Sequence, residues 1–238
     1  MGHFNHSLGV ATVNTNNAMA ALTPTRATAA TELTHLAGVP VLDVPSQFEL
    51  LQQGYPVEDV YLVKAGIIKL IRLDEDGNEL IVGLRSAGAV LGAASAILHK
   101  PHPVSGITLS RCSLYRFPVR AFLGMVKRGD DLCWHLHRVH SGEVYDQANQ
   151  MIGLKYRSAR QRVENMLWDL AKSSEEAALK SIKLEVPLKQ REIAQLIGIT
   201  PEHLSRVLKQ LEDDGILSRV NGSLNLIDLE KLYHFTDA

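Results

Sequence analysis

From about residue 39 to residue 118 the chain runs in short apolar bursts, at 60–63, 67–73, 80–84 and 107–117, each closed by turn residues. Asp74-Glu75-Asp76-Gly77 lies between two of them and predicts a hairpin whose glycine takes a positive φ. Gly54, Gly66, Gly88 and Gly92 mark further corners. Several short strands at this spacing predict a small β-sandwich or barrel-like roll.

The period then lengthens. Residues 130 to about 155 carry Leu136, Val139, Val144, Ala148, Met151 and Leu154 at mostly three- and four-residue steps, a helical pattern interrupted by Gly142 and Gly153. So narrow a stripe on so long a helix suits a seam with a second copy, with Val144, Ala148 and Met151 along it; packing on its own β domain is the alternative. A second helix, 159–172, carries Val163, Leu167 and Leu170. After a polar loop come a strand at 182–186, helices at 188–197 and 201–213, and apolar runs 216–220 and 224–227 joined by Asn221-Gly222, a strong hairpin signal. Helix, turn, helix, hairpin is the order of a winged helix-turn-helix. Residues 1–31 hold one charged side chain, Arg26, and follow neither period, so they predict a disordered leader, with Met19 an alternative start.

Composition narrows the function. The 238 residues are 45% hydrophobic and 21% charged, enough for a core without staples. Lys and Arg number 25 against 26 Asp and Glu, so any nucleic-acid surface must be a local patch. The two cysteines, Cys112 and Cys133, cannot form a disulfide framework, a four-cysteine zinc site or an all-cysteine iron–sulfur site within one chain. The longest nearly apolar stretch, 87–98, is too short to span a bilayer; no membrane association and a cytoplasmic location are expected.

The informative segment is 191–211. Ala194 is small where two helices would cross, Gly198 is placed for a left-handed turn, Thr200 can cap the next helix and Pro201 suits its first position. On helix 201–213, Leu204, Val207, Leu208 and Leu211 form an apolar face, while Glu202, Ser205, Arg206 and Lys209 form another, rotated away from it. An acceptor, a hydroxyl and a guanidinium on an exposed face suit reading of base edges in a major groove. Glu202, Ser205 and Arg206 are the candidate readers, with Lys189, Gln190, Thr200 and Lys209 as candidate backbone or flanking contacts. Lys155, Arg157, Arg160 and Arg162 are further candidate phosphate anchors.

With these residues in view the chain resembles the Crp/Fnr superfamily of transcription regulators. Gln53-Gly54, the run 61–66, Asp76-Gly77 with Glu79, and Ala87-Gly88 with Gly92 look like the opening of that family's β-roll, and Glu202, Ser205 and Arg206 fit its recognition helix. The resemblance implies an α+β fold: a cyclic-nucleotide-binding-like β-roll (32–130), a dimerisation helix (131–157) and a Crp-type winged helix-turn-helix (158–238). It implies a homodimer that reads double-stranded DNA, with RNA polymerase as an expected partner. Pro201 and Ser205 depart from the cyclic-AMP receptor pattern toward the fumarate–nitrate regulator subtype, whose analogy gives TTGAT-like half-sites in an inverted repeat.

Other departures concern the signal. Cyclic-nucleotide binders place Glu after the loop glycine and an arginine further on; here Ala93 follows Gly92, and the stretch 101–106 has no arginine. Cyclic AMP is therefore not expected, and a leader without cysteine argues against an iron–sulfur cluster. No cofactor and no metal site are identified. A haem- or redox-responsive member of the family is the alternative, resting on His99, His102, His135, His137 and His140 and on the two cysteines. A cupin-like metal enzyme would need a His-x-His pattern on adjacent strands, which the histidines do not form, and no catalytic residue is assigned.

Overall fold

The computed structural model describes residues 11–12, 39–129, 131–172, 182–184, 188–220, 223–226 and 232. The N-terminal strands are β2 (Val41–Val44), β3 (Glu49–Leu51), β4 (Asp59–Ala65), β5 (Ile68–Leu73), β6 (Glu79–Arg85), β7 (Val90–Leu91), β8 (Ser105–Thr108) and β9 (Cys112–Pro118). They build two antiparallel sheets, in the orders β2-β9-β4-β7 and β3-β8-β5-β6. Strand β4 is apolar almost throughout because it is covered on both faces. Val63 faces a core with Ile68, Leu70, Cys112 and Leu114, while Val60 and Leu62 face one with Ala93, Phe117, Phe122 and Leu136.

The apolar run at 107–117, read as one strand, is two strands in different sheets. The corner between them is pinned at Ile67, whose amide donates to Ser110 Oγ (3.1 Å) and whose carbonyl accepts from Leu109 N (2.8 Å). Gly66 makes the approach feasible: at φ +98°, a Cβ there would lie 2.5 Å from Cys112 Sγ. Strands β2, β3 and β7 are too short to show a period in the sequence. Helices α1 (Ala93–Leu98) and α2 (Val119–Arg128) also went unread, although Gly129, at φ +75°, closes α2 with a legible stop signal.

Helix α3 (Asp131–Tyr156) runs through both Gly142 and Gly153. Its apolar stripe divides. Leu136 and Val139 are buried, His135 Nε2 lies 3.0 Å from Gly88 O, and Glu143 pairs with Arg85 (2.9 Å). Val144, Ala148, Met151 and Leu154 further along are exposed. The first two positions thus belong to the helix's own β domain rather than to a seam.

The C-terminal part comprises α4 (Ala159–Lys172), β10 (Ile182–Leu184), α5 (Gln190–Leu196), α6 (Pro201–Asp213), β11 (Leu217–Val220) and β12 (Ser223–Leu226). Asn221 and Gly222, read as the hairpin turn, lie outside the described residues, as do 185–186 of the expected strand. Helices α4, α5 and α6 share one core containing Val163, Leu167, Leu170, Ala194, Leu204 and Leu211, and Ile67 and Leu84 of the β-roll join it. Within the expected leader, Ala11–Thr12 forms a strand, β1, parallel to β10. Backbone pairing with an open strand edge needs no apolar period, so the pattern gave no sign of it.

Candidate nucleic-acid interface

The turn between α5 and α6 is built from local chemistry. Gly198 follows α5 at φ +67°, and Thr200 Oγ1 accepts from His203 N (3.2 Å), capping α6 with Pro201 in its first turn. Arg162 of α4 donates through one Nη to the carbonyls of Ile197 (3.0 Å) and Gly198 (2.8 Å). Those carbonyls terminate α5 and lack helical partners, so the guanidinium fixes the turn. Arg162 is therefore a structural residue.

Helix α6 divides as its sequence indicates. Leu204, Val207, Leu208 and Leu211 are buried; Glu202, Ser205, Arg206 and Lys209 are all exposed. The Glu202 carboxyl is held below the usual carboxylate range by the backbone amide at the helix start, the Thr200 hydroxyl and, more weakly, the Arg206 charge. It is thus an ionised acceptor at neutral pH. Gln190 reaches across from α5, its Nε2 donating to Ser205 Oγ (3.1 Å), so the Ser205 hydrogen remains available to a further acceptor. Lys209 pairs with Asp213 (3.0 Å) in full solvent, a weak contact that a phosphate can displace.

The expected anchors separate. Lys189 is exposed at the start of α5, where its backbone amide donates to Glu192 Oε2 (2.8 Å). Lys155 and Arg157 are exposed near the end of α3. Arg160 is committed within the domain, to Glu164 (2.8 Å) and Asp214 (2.6 Å). Sequence reasoning missed Lys69 and Gln195, which tie α5 to the β-roll: Lys69 Nζ donates to Glu192 Oε1 (2.6 Å), and Gln195 of α5 pairs with the edge of β6. Glu192, three residues after Lys189, is a legible helix-start signal, but its partner lies 123 residues away.

In the β-roll, His102 is buried, and a Cβ on Gly92 would lie 3.3 Å from its Cε1. Burial lowers the pKa of His102, so its ring is neutral at pH 7. His99 and His137 are exposed, and His140 is half-buried. The Cys112 thiol is buried and pushed up by desolvation, which makes it a poor nucleophile. Among the described residues no three His, Cys, Asp or Glu side chains form a metal-holding group, and no helix is long and apolar enough to cross a membrane.

Comparison with known proteins agrees with this division. Residues 43–129 match the cyclic nucleotide-binding domain, and residues 161–235 match the Crp-like helix-turn-helix domain. The cAMP-activated global transcriptional regulator CRP of Pasteurella multocida is 26% identical over 175 residues, covering 73% of this chain and 83% of that protein. The transcriptional activator protein Anr of Pseudomonas protegens is 24% identical over 179 residues, covering 75% of this chain and 73% of that one. The structure of FixK2 from Bradyrhizobium japonicum superimposes with a TM-score of 0.67 at 23% identity, over 84% of this chain and 98% of that one. The first two of these are transcriptional regulators, which sets aside the cupin-like enzyme. With a cyclic nucleotide-binding domain ahead of a Crp-like helix-turn-helix, the chain belongs to the Crp/Fnr family of DNA-binding transcription regulators.

Proposed function

We propose that the protein acts as a homodimer that reads an inverted repeat of TTGAT-like half-sites, one per α6 helix. The observation that carries this reading is the exposed face of Glu202, Ser205 and Arg206 on a helix whose opposite face is wholly core. Arg206 grips a guanine through O6 and N7, Glu202 accepts from a cytosine amine, and Ser205 contributes its hydroxyl. Lys189 and Lys209 meet phosphates on either side, and Thr200 holds the helix start at the required angle. Gln190 contributes by orienting Ser205.

The exposed half of α3 supplies the dimer seam through Val144, Ala148 and Met151, with Tyr145 and Ile152 beside them. RNA polymerase is the partner that a promoter-bound regulator of this type meets, and the cytoplasm is where it works. The effector is not cyclic AMP. Ala93 is buried where a ribose-binding carboxylate would stand, and the buried His102 beside Gly92 is neutral. Ser105 Oγ already accepts from Gln53 N (3.0 Å). These residues do not fit a cyclic phosphate, whose charge needs a guanidinium or equivalent donors.

Selection of bound duplexes from a randomised library tests the function. The expected enrichment is an inverted repeat of two TTGAT-like half-sites; no enrichment, or a single half-site, contradicts the proposal.

A further inference from the structure

We propose that Lys69 and Gln195 are positioning residues for DNA reading, through which the β5–β6 hairpin of the N-terminal domain holds α5 and, with it, the reading face of α6. The proposal rests on the DNA-reading role of α6. Helix α5 has only seven residues, and its inner side contributes just Ile193 and Ala194 to the buried core. Two turns with so small an apolar footing are easily re-angled, yet both ends of α5 are fastened to the other domain. At its start, Glu192 divides its carboxylate: one oxygen takes the Lys69 ammonium at 2.6 Å, the other the Lys189 amide at 2.8 Å. The Lys69 and Glu192 side chains are only 12% and 13% exposed, so the pair is largely desolvated and neither charge can be left alone cheaply. Burial would raise the Glu192 pKa, but Lys69 and the Lys189 amide outweigh it, and the carboxyl titrates below its ordinary range.

At the other end, the Gln195 side chain imitates a neighbouring strand. Its Oε1 accepts from Ile81 N (3.3 Å) and its Nε2 donates to Glu79 O (3.2 Å), which satisfies backbone groups on the open edge of β6. Ile67 and Leu84, at the borders of the same hairpin, extend the C-terminal core beneath these contacts. From α5 the linkage continues through Gln190 to the Ser205 hydroxyl. The linkage ends at Ser205, beside Glu202, Arg206 and Lys209, all of which stay exposed. The hairpin is therefore a strut that orders the reading unit without covering it. Lys69 also neutralises a carboxylate in the first turn of α5, beside Lys189, where DNA phosphates would otherwise be repelled.

The test uses full-length Lys69→Met, Lys69→Met/Glu192→Gln and Gln195→Ala. Each is titrated by fluorescence anisotropy against the duplex selected from the library and a scrambled one, and amide exchange is followed at Ile81 and across α5. Lys69→Met should weaken specific binding roughly tenfold and random binding by less than about twofold. Adding Glu192→Gln should restore most of the loss, because the amide oxygen still accepts from Lys189 N and no charge is stranded. Gln195→Ala should speed Ile81 exchange and weaken specific binding. Wild-type affinity in both single variants, tighter binding, or no recovery in the double variant overturns the strut. If the wild type prefers neither duplex, the DNA-reading assignment itself fails, and unchanged exchange in both single variants then overturns the strut independently.

Discussion

Gly198 is where the helix-turn-helix tolerates least. At φ +67° a side chain is strained whatever the space, and a Cβ there would lie 2.6 Å from Leu154 Cδ2 and 3.2 Å from an Arg162 Nη. Gly198→Ala should cost the C-terminal domain roughly 1–3 kcal/mol, read as a lower urea midpoint by Trp168 fluorescence; an unchanged midpoint contradicts the tight turn. Residues of this kind were legible in the sequence. Ala194, Gly198, Thr200 and Pro201 act on neighbours a few positions away, so type and spacing carry their roles. Arg162 and Lys69 were not legible, because the groups they hold lie 35 to 36 and 123 residues away and only the fold brings them together. Arg160 and Arg162, candidate phosphate anchors by charge alone, are spent on the domain's own carboxylates and carbonyls.

At the scale of elements, α4 and α6 begin and end where their patterns and caps indicate. Elements whose identity depends on which sheet they join were harder: the run 107–117 mixes apolar residues with Thr108, Ser110, Arg111, Ser113 and Arg116 throughout and has no Gly or Pro to mark the corner at Ser110. Helix α3 carries one stripe with a buried half and an exposed half, which the spacing alone could not separate. Leu136 and Val139 are buried, whereas Val144 and Met151 stay 66% and 72% exposed, the apolar surface on which the proposed seam rests. Met151→Glu would place a carboxylate beside its symmetry mate in the proposed seam. Sedimentation should then show monomer and specific DNA binding should collapse; a persistent dimer would place the seam elsewhere.

At the scale of the whole molecule, the two domains share a core through Ile67 and Leu84, so a change in the β-roll has a direct mechanical route to the reading unit. What drives that change is not cyclic AMP on the present account. Calorimetry at millimolar nucleotide should give no saturable heat, and a micromolar dissociation constant would contradict the reading of Ala93 and His102. The central claim is that α6 reads sequence, chiefly through Arg206. Its most direct test compares Arg206→Ala and Lys189→Ala with wild type by anisotropy, on a TTGAT inverted repeat and a scrambled duplex, at two salt concentrations. Arg206→Ala forfeits about 1–3 kcal/mol of discrimination per half-site, entering twice in a dimer, so at the middle of that range preference for the repeat should fall roughly a hundredfold or more. Lys189→Ala should weaken both duplexes alike and lower the salt slope by about one per lost phosphate contact. An Arg206→Ala protein that keeps the wild-type preference for the repeat would contradict the account.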